Sequence, residues 1–139
     1  MIRAFVDASV LVAAVFSPTG GASALLEMAI RGRIDLLISN DIVEEVKRNV
    51  PMLADKFQEL LELVPFNYVT LAIEDVTEVM DYTVAKDAHV VAAAKKAAVD
   101  YLVTFDEKHL LHNNELRRSV KFGMLKPGDL LQVLRSADE

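Results

Sequence analysis

The chain has 139 residues, 53% of them hydrophobic, which is enough to bury one sizeable core and too few for two ordinary domains, so a single domain over residues 1–139 is expected. With no cysteine, disulfide staples, thiolate metal sites and a cysteine nucleophile are excluded, leaving oxygen and imidazole groups for any chemistry. Fifteen basic against 21 acidic residues, a net charge of −6, argue against nucleic-acid binding through the overall field of the protein.

In chain order, Ile2–Val6 is an apolar run rich in strand formers, halted by Asp7. Residues 1–16 superficially look like a leader. Asp7 interrupts the apolar run, however, only Arg3 precedes it, and no later stretch stays apolar for a membrane span, so a soluble, unprocessed, cytoplasmic chain with no membrane contact is expected. After a Ser17–Gly21 loop, helical spacing over Ala22–Ile30 precedes a strand at Leu36–Ile38. Helices are predicted at Asp41–Val50 and Asp55–Leu63, a strand at Tyr68–Leu71, and helices at Ile73–Ala85 and Asp87–Ala98. Strands at Tyr101–Val103 and Val120–Met124, a helix at Gly128–Leu134 and a loose Ser136–Glu139 tail complete the pattern. Continuous rather than alternating apolar strands, separated by helices, predict a mainly parallel sheet buried on both faces, a three-layer α/β/α sandwich joined by right-handed crossovers. No internal repeat or low-complexity tract marks a boundary.

In such a sheet, ligands collect at the carboxyl ends of the strands. Asp7 directly follows the first strand and Asp106 the fourth, so both reach that rim. Glu45 lies within the helix after the second strand, on the face shared by Ile42 and Asn49, and can lean toward Asp7. Asp87 opens the helix leading into the fourth strand, and spacing alone leaves open which end of the sheet it occupies. Three or four carboxylates in one pocket repel one another and stay ionised together only around Mg²⁺ or Mn²⁺, hard cations that prefer oxygen ligands. Setting these four acids aside leaves 17 acidic against 15 basic residues, so much of the net charge belongs to the candidate site.

Four segments carry a resemblance to the PIN-domain family: Phe5-Val6-Asp7-Ala8-Ser9-Val10-Leu11-Val12, Ser39-Asn40-Asp41-Ile42-Val43-Glu44-Glu45-Val46, the run from Lys86-Asp87-Ala88-His89 to Ala94, and Asp100-Tyr101-Leu102-Val103-Thr104-Phe105-Asp106. Lys126-Pro127-Gly128-Asp129-Leu130-Leu131 resembles the family's closing turn and helix, so the likeness spans nearly the whole chain. It implies a parallel five-stranded sheet of order 3-2-1-4-5. It also implies that Asp7, Glu45, Asp87 and Asp106 are the catalytic acids and bind one or two Mg²⁺ or Mn²⁺ ions. Ser9 and Thr104 are implied as hydroxyls that hydrogen-bond the acids or a phosphate. Many bacterial and archaeal relatives are toxins of toxin–antitoxin pairs that cut RNA as homodimers and are silenced by a partner inserting near the active site. An RNA substrate, an antitoxin partner and a homodimer are therefore the expected company. One departure stands out: where many such toxins carry Thr-x-Asn-x-x-Asp after the fourth strand, this chain has Thr104-Phe105-Asp106-Glu107-Lys108-His109.

Each acid also has a plainer reading. Asp7 and Asp87 suit helix N-caps, Glu45 a solvated face with Lys47 and Arg48, and Asp106 an exposed turn. His89, His109 and His112 lack paired metal-ligand spacing and are assigned to surface or packing. The pairs Lys47/Arg48, Lys95/Lys96 and Arg117/Arg118 are read as solvated surface. The apolar stripe of Ala22, Leu25, Leu26, Ala29 and Ile30, with Phe57, Leu60, Leu61 and Val64, is read as mostly core, with part of it left as a dimer patch. A non-catalytic RNA- or protein-binding scaffold is the alternative function. A phosphoacceptor receiver would need an aspartate ending the third strand, where Val69-Thr70-Leu71-Ala72 stands, and a haloacid-type hydrolase would need one in place of Ser9.

Overall fold

A computed structural model describes residues 1–137. Strand β1 (Arg3–Val6) leads into helices α1 (Ala8–Phe16) and α2 (Gly21–Ile30), then β2 (Asp35–Ser39), α3 (Asn40–Asn49) and α4 (Ala54–Leu63). Next come β3 (Asn67–Val69), α5 (Ile73–Thr77), α6 (Ala88–Lys96), β4 (Tyr101–Val103), α7 (Asn114–Ser119), β5 (Gly123–Leu125) and α8 (Pro127–Ala137). All four strand pairings are parallel and the order is β3-β2-β1-β4-β5, as the resemblance implied.

Central β1 shows why the strands read as unbroken apolar runs. Ala4, Phe5 and Val6 are consecutive and all fully buried, which requires cover on both faces of the sheet. Helix α6 packs on β1 and β4, α1 packs against α2, α3 and α4, and α2 packs on α8. The expected apolar stripe is indeed mostly core: Ala22, Leu25, Leu26, Ala29, Phe57 and Val64 are buried, while Ile30 is partly open. No single helix among the described residues is long and apolar enough to cross a membrane; α1 and α2 are so only together, and they meet at 98°.

Several boundaries differ from the sequence expectation. The helix expected over Ile73–Ala85 stops at Thr77, and separate turns such as Met80 N–H to Thr77 C=O (3.2 Å) and Tyr82 N–H to Val79 C=O (3.2 Å) carry the chain onward. Thr77, Tyr82, Thr83 and Val84 are poor helix formers, and their low propensity ends the helix although apolar spacing runs on through Val76 and the buried Val79. The third and fifth strands shift by one to three residues relative to expectation, and the short α7 was not anticipated. Of the expected loose tail, Ser136 and Ala137 close α8, and 138–139 lie outside the described residues.

Helices α2 and α6 end the same way with different residues. Arg33 N–H reaches Met28 C=O at 2.9 Å across Gly32 (φ 72°), and Val99 N–H reaches Ala94 C=O at 3.3 Å across Ala98 (φ 51°). Both are left-handed C-terminal caps, conformations that cost an L side chain about 1 kcal/mol and cost glycine almost nothing. Ala98→Gly is therefore expected to raise the unfolding free energy by roughly 0.5–1 kcal/mol in urea titrations at fixed pH; an unchanged or lowered midpoint would show that the cap is not strained.

Candidate active site

Asp7 is the first residue past β1, and its own N–H extends the ladder by donating to Val103 C=O of β4 at 3.2 Å. That bond aligns the ends of the two central strands. The Asp7 carboxylate is buried, 7% exposed, and accepts three hydrogen bonds: from Ser9 Oγ at 2.5 Å, from Val10 N–H at 3.3 Å and from Thr104 Oγ1. Each hydroxyl donates to Asp7 and in turn accepts from the loop after β4, Ser9 from Phe105 N–H at 3.1 Å and Thr104 from Asp106 N–H at 3.0 Å. Capping of α1 and construction of the site are thus one arrangement, and the plainer reading of Asp7 holds alongside the functional one.

Helix α6 settles the position of Asp87. Its C-terminal end lies at the amino edge of the sheet, where Ala97 C=O accepts from the Arg3 guanidinium at 2.6 Å and Asp100 N–H donates to Arg3 C=O at 2.9 Å. The helix runs antiparallel to the strands, so its first turn, and Asp87 with it, stands at the carboxyl rim. Asp87 does not use its side chain as a cap: Oδ2 is shielded from solvent and has no hydrogen-bond partner among the described residues.

Asp106 starts a single π turn over Glu107–Leu111, closed by Leu111 N–H to Asp106 C=O (3.0 Å) and His112 N–H to Glu107 C=O (2.7 Å). Its Oδ1 accepts from His109 N–H at 3.0 Å. The turn brings His109 Nδ1 to 3.5 Å from Asp106 Oδ2 and 4.0 Å from Asp87 Oδ2. Glu45, half-buried on α3, faces His89 of α6 with Oε1 3.4 Å from Nε2, rather than pairing with Lys47 or Arg48. Its charge acts on both Asp7 and Asp87, which ties the fourth acid to the same rim.

Electrostatics follow from this crowding. Burial, assisted by the charge of Glu45, outweighs the three hydrogen bonds and pushes the Asp7 carboxyl from 3.8 up to about 6. Asp87 is raised above the ordinary carboxylate range by burial first and by Asp106 second. Such a group of acids is costly unless a cation is shared among them. The donor set fits a divalent ion: oxygens of Asp87 and Asp106 and a His109 nitrogen lie within 4.8 Å of one another, and Asp87 Oδ2 lacks any other partner.

Of the four acids chosen from sequence, Asp87 and Asp106 stand with His109 in one ligand-sized cluster, while Asp7, bonded by Ser9 and Thr104, and Glu45, facing His89, lie near it but outside that cluster. Sequence reasoning did not place His109 or His89 beside these acids, where the structure puts both. The signal for His109 was its place in the family motif, at the position of the usual acid. His89 does not share a ligand atom position with Asp87, as its two-residue spacing indicated, but it reaches across to Glu45. Among the basic pairs, Lys95 and Lys96 bind Glu78 (3.6 Å) and Asp75 (2.9 Å), and Arg117 donates to Leu111 C=O at 2.8 Å.

A doubly wound parallel sheet with carboxylates gathered at its carboxyl rim defines an α/β domain of the acid-cluster class. Within that class, the chain belongs to the PIN domain family, whose model matches residues 3–108. Among solved structures it is similar to PAE2754 from Pyrobaculum aerophilum, at 18% identity over 97% of this chain and 90% of that one, with a TM-score of 0.65. It is also similar to VapBC2 from Rickettsia felis bound to a DNA fragment from their promoter, at 14% identity over 89% of this chain and 98% of that one, again with a TM-score of 0.65. At these identities the likeness is one of fold. No curated protein sequence matches the chain.

The raised carboxyl of Asp7 gives a stability prediction. Between about pH 4 and 6 the folded state keeps a proton that the unfolded chain has released, so this group's contribution falls as pH rises through that window. In EDTA, Asp7 is expected to cost the wild type about 2–3 kcal/mol between pH 4 and 7, and Asp7→Asn to remove that share of the pH dependence. Denaturant titrations at several pH values read this directly; identical slopes in the two proteins would contradict it.

Proposed function

We propose that the chain is a divalent-metal-dependent endoribonuclease that hydrolyses RNA phosphodiester bonds, acting as a single domain over residues 1–139. The observation that carries the proposal is the close cluster of Asp87, Asp106 and His109, with Asp7 and Glu45 near enough for the Glu45 charge to act on both Asp7 and Asp87, supported by membership of a family whose members are in general metal-dependent nucleases. Mg²⁺ or Mn²⁺, one ion or two, would be held by these four acids. A bound divalent ion supplies Lewis-acid stabilisation of the charge that develops on a phosphodiester and makes water a better nucleophile.

The chain's own residues supply the rest. Ser9 and Thr104 hold the Asp7 carboxylate in one orientation and leave it no freedom to turn away. Burial of Asp7 keeps bulk water from screening its own charge. A groove of about 690 Å³ begins at Glu107, next to Asp106 in the chain, and carries His112, Arg117 and Lys126 beside the acids Glu107, which pairs with Lys126 at 2.5 Å, and Asp129. The family resemblance supports a toxin of a toxin–antitoxin pair, cytoplasmic and homodimeric, with a second protein as its inhibitor. The fold shared with VapBC2, solved on promoter DNA, is consistent with such a partner.

Cleavage of a structured and an unstructured RNA in Mg²⁺, Mn²⁺ or EDTA tests the proposal. Metal-dependent cutting is expected, with Asp7→Asn and Asp87→Asn each lowering the rate by about a hundredfold or more. Ser9→Ala and Thr104→Val are expected to cost roughly 10- to 100-fold while leaving the fold intact. Metal-independent RNA binding that Asp7→Asn leaves unchanged, without cleavage, would replace the nuclease with a binding scaffold.

A further inference from the structure

The loop after β4 carries an imidazole where the family motif carries an acid. Its π turn does not merely expose His109: the ring nitrogen Nδ1 faces two carboxylates, at 3.5 Å from Asp106 Oδ2 and 4.0 Å from Asp87 Oδ2. Both separations exceed the 2.7–3.2 Å or so of an N–H···O hydrogen bond, so the imidazole is not closed onto either acid. Two ligands of one ion with bonds of about 2.0–2.2 Å stand roughly 3 to 4.4 Å apart, close to the spread observed. The other oxygen of Asp106 is already engaged by His109 N–H, and Asp87 Oδ2 is buried without a partner. Two carboxylate oxygens and one ring nitrogen therefore stand within 4.8 Å of one another.

We propose that His109 is a metal ligand of this site and that its nitrogen makes the centre selective for Mn²⁺ over Mg²⁺. The inference rests on the metal-dependent reading given above and assigns it a donor and a preference. Mg²⁺ takes oxygen ligands almost exclusively and gives up its waters reluctantly, whereas imidazole suits first-row transition ions. An aspartate at this position would complete an all-oxygen set open to both ions. His109 replaces that oxygen with nitrogen and removes one negative charge, and both changes weaken Mg²⁺ more than Mn²⁺. His89 is not part of the set: its Nε2 faces Glu45 at 3.4 Å.

Metal-free protein titrated with Mn²⁺ and with Mg²⁺ at one fixed pH, by calorimetry, gives the affinity ratio, and pulsed electron paramagnetic resonance of bound Mn²⁺ detects directly bonded nitrogen. The wild type and His89→Gln are expected to show ¹⁴N coupling and to bind Mn²⁺ at least about tenfold more tightly than Mg²⁺. In His109→Asp, Mn²⁺ remains bound, the coupling disappears and the ratio narrows several-fold; His109→Gln loses the coupling as well, which guards against a folding defect in one variant. Bound Mn²⁺ without ¹⁴N coupling, coupling that survives in His109→Asp, or an unchanged ratio would overturn the assignment. If RNA is still cut in a metal-dependent way, only the His109 proposal falls; if neither ion binds, the nuclease reading falls with it.

Discussion

Burying a carboxylate at the end of the central strand is the constraint around which this structure is arranged. Asp7 sits where β1 gives way to α1, with β1 paired on both sides, and has almost no access to water. An unassisted charge there would cost several kcal/mol. Two hydroxyls and one backbone N–H offset part of that cost, and each hydroxyl is itself fixed by a backbone N–H from the β4 loop. The acid is therefore also the tie between the two central strand ends. Burial nevertheless pushes its carboxyl up to about 6, so the hydrogen bonds offset only part of that cost.

Around this tie, the other acids arrive by different routes. Asp106 comes from the same β4 loop that Thr104 anchors, Glu45 from a helix set by the end of β2, and Asp87 from the first turn of a helix that returns beneath the sheet. Helix α6 is well suited to that return: Ala88, Val90 and the run Val91–Ala94 are buried, and small side chains let the helix lie close to β1 and β4. The ion pairs of Lys96 with Asp75 of α5 and of Lys95 with Glu78 just past it then hold its far end from the solvent side, a contribution of modest size for exposed groups. Crowding of like charges at the rim is thus opposed by apolar burial elsewhere in the same helices.

Legibility in the sequence differed from residue to residue. Asp7 and Asp106 were visible because a polar residue ends an apolar strand. Glu45 was not, since its neighbours look like any charged helical face, and only the family resemblance singled it out. His109 escaped because its partner Asp87 lies 22 positions earlier in the chain and meets it only through a π turn that no spacing rule signals. The interruption of the expected Ile73–Ala85 helix was hidden for a related reason: apolar spacing continues through it, while propensity and packing do not.

The sequence by itself determined the alternation of buried strands and amphipathic helices, and with it the parallel sheet, because burial on both faces demands unbroken apolar runs that can be read directly. It also determined that acids would lie at strand ends. Only the tertiary structure decided which end of the sheet Asp87 occupies, that Ser9 and Thr104 both bond Asp7, and that imidazoles face Glu45 and the Asp87–Asp106 pair. Those facts depend on distances between segments far apart in the chain, which periodicity, a property of neighbours, does not encode.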